Sequence, residues 1–431
     1  MKSIITNSVL AFTAFLMLSC NGKSGLIIAQ KDYNPYLEIK DNKSKDFAQN
    51  EIYFWQKKYD AAPNQISYLS LLASNYSKLF ENTGDVKYLY KTEELLLKSN
   101  EAYKYSNVGT IRSLARNYIS QHRFREALAL ANKALSIGEG MKETQKLLFD
   151  VNMELGNYKE AEQNLTFIND KTDFDYLIRI SKWNDHLGDL KTAISFMEKA
   201  KDIAIANENK SLKIWTYSNL GDLNGHAGNI ETSYHYYLKT LAVEPNNSYA
   251  LKGIAWIAFS YEKDTKEAIR IIDTISKRHH TPDFYLFKAQ IADYQKNTAL
   301  KNENLKHYFA MLNTINYGAM YNKYNTLIYA EDKKTASKAL AIAMIEIQHR
   351  PTPDSYDLLA WAYYNMGDTK KALAIAQHYV AGKSFEPKIN YHLATIYKAN
   401  HLKAKIAPIK EELLKSIFEL GPNFENKIVI L

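Results

Sequence analysis

The side chains with chemical potential in this sequence are few and scattered. Eleven histidines are dispersed along 431 residues. None forms the HExxH pair of a zinc hydrolase, and neither GxSxG nor GxxxxGK[ST] occurs. His279 and His280 are adjacent, but neighbouring side chains diverge, so a metal there would need ligands from elsewhere. Gly221, Gly225 and Gly228 imitate a phosphate-binding loop, yet they fall within and just after a helical pattern, where small residues permit close packing. Asp and Glu pairs read as solvated helix faces rather than paired acid and base. Cys20 is the single cysteine, which excludes an intramolecular disulfide and a cysteine-based zinc site. The residues therefore point to a binding protein without cofactor or metal, and not to an enzyme.

Composition sets the architecture that must position any binding surface. The chain is 46% hydrophobic and 24% charged, which is globular, and its 9 prolines and 16 glycines are few enough for a mostly helical fold with short turns. Its net charge of +8 is spread without a block of five or more basic residues, which argues against nucleic acid as the partner. The 32 tyrosines are in excess, and on stacked helices most should fill the core or wall a groove.

The clearest unit runs from Pro353 to Tyr379. Tyr356, Leu359, Ala360 and Tyr363 share one helical face, Gly367 offers the left-handed conformation that ends a helix, and Ala372, Leu373, Ile375 and Ala376 restart the pattern. One such hairpin cannot bury its own apolar face, so it implies neighbours. The unit resembles the tetratricopeptide repeat, with Tyr356, Leu359, Ala360, Tyr363, Gly367, Ala372 and Ala376 on seven of its preferred positions. Ala127 and Ala161 keep the 34-residue phase of that repeat. The resemblance implies an all-α, right-handed superhelical solenoid of hairpins, with about ten units between residues 47 and 419. Residues 282–314 and 319–351 carry the pattern only weakly. Lys403 to Glu419 reads as a closing helix, and 420–431 as a tail too short to be a domain.

The N-terminus is organised differently. Lys2, the apolar stretch Val9 to Leu18 and then Ser19-Cys20 have the three parts of an export signal, with an apolar core too short to span a bilayer comfortably. Leu16-Met17-Leu18-Ser19-Cys20 resembles a bacterial lipoprotein signal, which implies that residues 1–19 are removed and Cys20 is acylated. Several acyl chains hold a protein firmly, since each buried methylene contributes about 0.8 kcal/mol. Residues 21–25 lack the aspartate that retains some lipoproteins at the inner membrane, so the resemblance implies an outer-membrane anchor facing the periplasm. Residues 20–46 are polar, contain Asn34-Pro35, and read as a flexible tether.

In the repeat family the concave surface is lined by fixed positions of each first helix. Carried onto this sequence, they give Arg112, Arg116, Lys146 and Asp150, then Trp215, Asp222, Tyr249, Lys252, Trp256 and Phe259, then Asp357, Trp361, Tyr364 and Tyr391. The groove so drawn is charged toward one end and aromatic toward the other. Its expected occupant is an extended or helical segment of a partner protein. Glycan capture in the manner of SusD-like lipoproteins is the alternative, although those proteins interrupt their repeats with long insertions that are not evident here. A small-molecule substrate fits the pattern less well.

Overall fold

The computed structural model describes residues 26–431. Helix α1 (Gln30–Leu37) and helix α2 (Lys43–Ala61) precede ten antiparallel hairpins. The first five are α3/α4 (Ser67–Thr83, Lys87–Ala102), α5/α6 (Val108–Ser120, Phe124–Ile137), α7/α8 (Met141–Leu155, Tyr158–Phe167), α9/α10 (Phe174–His186, Leu190–Ala206) and α11/α12 (Lys210–His226, Ile230–Val243). The other five are α13/α14 (Ser248–Ser260, Thr265–Ile275), α15/α16 (Asp283–Tyr294, Thr298–Thr314), α17/α18 (Asn322–Ala330, Ala336–His349), α19/α20 (Pro353–Asn365, Thr369–Ile375) and α21/α22 (Pro387–Ala399, Ile406–Lys415). Two short helices, α23 (Ile417–Leu420) and α24 (Glu425–Val429), end the chain. Among the described residues there is no strand, so the fold is an all-α solenoid of tetratricopeptide-like hairpins.

Local chemistry explains why the elements start and stop where they do. Asn107, Asp189, Asn209, Asn247, Asp264, Asn297 and Asp368 each accept a hydrogen bond from a backbone N–H in the first turn of the following helix. Such caps contribute about 1 kcal/mol each. Gly84, Gly138 and Gly156 close helices in the left-handed conformation. Alanines at 127, 131, 134, 161, 193, 200 and 268 are wholly buried where paired helices cross, leaving no side chain to hold the backbones apart. The weakly patterned stretches 282–314 and 319–351 form regular hairpins, in which the aromatic packing of Tyr308, Phe309, Tyr321 and Tyr329 adds to buried alanines at 289, 292, 330, 339 and 343.

The solenoid winds tightly enough that successive superhelical turns touch. His280 donates its backbone N–H to the Thr83 carbonyl at 2.6 Å. Arg125 donates to the carbonyls of Gln348 and His349, and Arg350 pairs with Glu154 at 3.3 Å across 196 residues of chain. Gly156 lies against Pro351 and Thr352, and Gly188 against the Phe385 ring. His279 and His280 therefore belong to a seam between turns, where Gly84 leaves room for both.

Three boundaries differ from the expectations. Residues 20–46 are not a flexible tether over their described part. Ile28, Tyr33 and Leu37 enter the core of α12–α15, and fully buried Tyr33 donates to Glu267 at 2.5 Å. The alternating burial of Tyr33 and Leu37, four residues apart, overrides the polar composition. The closing helix is broken at Ser416 into α22 and α23, so Glu419 does not end a continuous element. Residues 420–431 are not a free tail, because Leu420, Phe424 and Ile428 are buried. The Cys20 anchor and the signal segment lie outside the described residues.

Candidate functional site

The concave surface divides into three parts with different chemistry. Around α5, α7 and α9 it is charged, and its cations Lys146, Arg179 and Lys182 are paired with carboxylates. Lys146, buried, contacts Asp175 at 2.8 Å, Glu143 at 2.9 Å and Asp173 at 3.1 Å. Arg179 pairs with Asp150 at 2.6 Å, and Glu154 holds Lys182 at 2.9 Å. Arg112 is occupied by the carbonyls of Glu139 and Gly140 and by the Thr144 hydroxyl, while Arg116 is exposed.

The aromatic residues do not line one continuous channel. Trp215 is 39% exposed and faces Phe174, edge on. Phe259 is fully buried, packed between Trp256, Phe287 and Tyr294, and is therefore core and not groove surface. Its position follows from α13 being apolar almost all round, so that two sides of that helix are covered. Trp361 is half-buried, stacked on Tyr364 at 5.0 Å and on His392 at 3.9 Å. Tyr391 meets Phe424 edge on at 5.0 Å.

Beneath Trp361 lies a pair that sequence reasoning missed. His392 and Asp357, both buried, are joined by a 2.7 Å hydrogen bond. Burial pushes Asp357 up and His392 down from their ordinary values, each partly offset by the other. The repeat pattern places Asp357 in the open groove, but it is buried against the His392 ring. The two residues lie on adjacent first helices, 35 residues apart and so one residue off the repeat phase, in which the position matching Asp357 is Tyr391.

The chain's own C-terminal segment fills the middle of the groove. The Trp256 indole N–H and the Ser260 hydroxyl both donate to the Phe418 carbonyl, at 3.0 and 2.6 Å. The Phe418 ring sits over Gly225, where an added Cβ would come within 2.8 Å of it. Asn423 donates to the Gln290 carbonyl at 3.0 Å and to Asp293 at 3.2 Å, and Lys263 pairs with Glu425 at 2.6 Å. The signal for this docking is the run of apolar residues Ile417, Phe418, Leu420, Phe424 and Ile428 in the last fifteen positions of the sequence.

What remains open is a chamber of about 660 Å³ between the inner faces of α11, α13, α15 and α17 and the C-terminal segment. Its lining includes Tyr249, Lys252 and Trp256 from the expected groove, but not Trp215, Trp361, Tyr364 or Tyr391. Tyr249 and Tyr237 both donate to Asp222, at 2.6 and 2.7 Å, and burial pushes the Asp222 carboxyl up. Glu419 is pushed up to about 7, first by burial and further by the Glu386 and Asp185 carboxylates, against an opposing pull from His226. Among the described residues no cluster of His, Cys, Asp and Glu could hold a metal.

No family model matches the chain, and no curated protein matches it. Among solved structures it is similar to a human IFIT1 dimer with PPP-AAAA, at 11% identity over 72% of this chain and 71% of that one, with a TM-score of 0.47. It is also similar to PilW, a widely conserved type IV pilus biogenesis factor, at 16% identity over 49% of this chain and 96% of that one, TM-score 0.39. A tetratricopeptide repeat protein from Parabacteroides merdae ATCC 43184 aligns at 18% identity over 55% and 93% of the two chains, TM-score 0.39.

Proposed function

We propose that this chain is a non-catalytic binding or assembly scaffold of the bacterial cell envelope, tethered through acylated Cys20 at the outer membrane and facing the periplasm, which takes a partner polypeptide in its concave groove. The observation that carries the reading is that the groove already binds a polypeptide. Trp256 and Ser260 recognise a backbone carbonyl, a group every peptide offers, and Gly225 makes room for an aromatic side chain. Pairing of Lys146, Arg179 and Lys182 with carboxylates supports protein over nucleic acid, since phosphate binding needs cations free of internal partners. Among the described residues no helix is long and apolar enough to cross a membrane, so the proposed anchoring rests on Cys20.

The test uses the aromatics that are exposed and untouched by the C-terminal segment. Cross-linked pulldown from envelope extract is repeated with Trp215→Ala and Tyr249→Ala. Loss of a specific protein with unchanged melting temperature supports a recognition surface. Recovery of the same proteins from both variants removes that support.

A further inference from the structure

The turns that join the two helices of each hairpin all point one way along the solenoid, so they meet different neighbours in its two superhelical turns. In the first they are covered. An added Cβ at Gly84, Gly156 or Gly188 would meet His279, Thr352 or Phe385 of the next superhelical turn at 2.7, 3.3 and 2.7 Å. At Gly228 and Gly367, in the turns after α11 and α19, nothing lies within 4 Å of such an atom. The turns of the last hairpins therefore face outward together, at a free end of the superhelix.

The covered turns are balanced in charge, Asp85 against Lys87 and Glu126 against Arg123. Those of the free end are not. Lys296 follows α15, Lys333 and Lys334 follow α17, Lys370 and Lys371 open α20, and Lys403 and Lys405 precede α22. All are exposed, and none makes an ion pair among the described residues. The carboxylates of the same turns are fewer and engaged. Lys301 holds Glu331 at 3.2 Å, while Asp332 and Asp368 accept the backbone N–H groups of Lys334 and Lys371 at 2.9 and 3.0 Å. Exposed Tyr261 and Met366 add apolar side chains to this rim.

The N-terminal segment comes to the same end. Ile28 donates its backbone N–H at 2.9 Å to Glu262, in the turn between α13 and α14, and Leu26 is exposed beside it. A chain reaches at most about 3.5 Å per residue, so Cys20 lies within about 28 Å of Ile28. A lipid on Cys20 thus keeps this end of the superhelix beside a bilayer.

We infer that the free end is a docking surface for a bilayer carrying anionic phospholipid, whose headgroup phosphates the lysines of four successive turns neutralise while Tyr261 and Met366 enter the headgroup layer. Docked in this way, the solenoid stands on the membrane and projects its first hairpins away from it. A second copy of the chain fits the face less well, because it would bring like charge to it. The inference concerns a surface distinct from the polypeptide groove, and it rests on the Cys20 reading only for bringing a membrane within reach.

The test sediments the unacylated mature chain, residues 20–431 with Cys20→Ala, with vesicles of phosphatidylglycerol and phosphatidylcholine in equal parts and with vesicles of phosphatidylcholine alone. Binding to the anionic vesicles should be roughly tenfold or more tighter and should weaken as salt is raised. Two variants of equal net charge separate this face from charge in general. Lys333→Gln, Lys334→Gln, Lys370→Gln and Lys371→Gln together should lower the affinity roughly tenfold or more. Lys57→Gln, Lys58→Gln, Lys133→Gln and Lys159→Gln, at exposed positions earlier in the solenoid, should lower it less than about twofold. Both should keep the parent melting temperature. A polarity-sensitive fluorophore on Met366→Cys, the only thiol once Cys20 is replaced, should shift to the blue on anionic vesicles, and one on Glu160→Cys should not. Equal affinity for the two kinds of vesicle, equal losses in the two variants, or equal shifts at the two labels overturns the inference. So does tighter binding to a single-stranded RNA than to the vesicles, lost with the same four lysines, which would assign the face to nucleic acid. Anionic-vesicle binding by a chain whose Cys20 proves unacylated in cells would leave this inference standing and sink the anchor. Acylation without preference for anionic vesicles would do the reverse.

Discussion

Trp256 donates its indole N–H to the carbonyl of Phe418 at 3.0 Å, joining an inner helix to a residue 162 positions later in the chain. The contact converts a groove that should be open along its length into one that is occupied in its middle and open beside it. It also couples the C-terminal repeat to the superhelical turn before it, because the other face of the same segment packs on Tyr391, Ile409 and Leu413.

Phe418→Ala should release that coupling without dismantling the repeats. Phe418 is only partly buried, so the expected cost is about 2 kcal/mol, below the range for a fully buried phenylalanine. Hydrogen exchange should accelerate from residue 417 to 429 and remain slow in α13. Uniform acceleration across the chain would show that the segment is part of the global core.

The seam between superhelical turns predicts a pairwise effect. Gly188 has φ of +79°, and an added Cβ would come within 2.7 Å of the Phe385 ring. Gly188→Ala should therefore cost about 1–3 kcal/mol, partly from backbone strain and partly from the clash. Adding Phe385→Ala should recover the clash and leave the strain. Simple additivity of the two substitutions in chemical denaturation would contradict the contact.

Glu419 makes stability depend on pH in a particular direction. Its carboxyl holds its proton up to about 7 in the folded chain against an ordinary value of 4.5. The native state thus binds more protons than the unfolded state across that window, and this group's contribution is lost as pH rises through it. Glu419→Gln should raise the melting temperature above about pH 7 and change it little below about pH 4.5. A gain of the same size at both ends would assign the effect to packing.

Much of the hairpin architecture was legible because it is written in one-turn periodicity. Leu359 and Ala360, or Ala127 and Ala161, report a buried helix face directly. The winding was not, since contact between Thr83 and His280 depends on small rotations accumulated over many hairpins, and no residue encodes that sum. The groove positions were drawn from a repeat in isolation. They could not show that Phe259 is covered on α13, that His392 lies over Asp357, or that Phe418 returns to Trp256. Helix α1 is hard to read because its two buried residues, Tyr33 and Leu37, sit beside Gln30, Lys31, Asp32, Asn34 and the helix-disfavouring Pro35.

The anchoring part of the account is separable. Cys20→Ala should abolish acylation, as the only thiol of the chain is lost, and should leave the helical spectrum unchanged. Retention of the variant in membranes after high-salt and carbonate washing would point to an uncleaved leader or a membrane partner.

The most direct test of the central claim is site-specific photo-cross-linking in intact cells, with the photoreactive residue placed at Tyr249 in the chamber and, as control, at Glu160 on the exposed face of α8. A groove that receives a polypeptide predicts one discrete protein adduct at Tyr249 that is absent at Glu160. Identical adduct patterns at the two positions, or adducts at Tyr249 only within the chain's own residues 417–427, would contradict it.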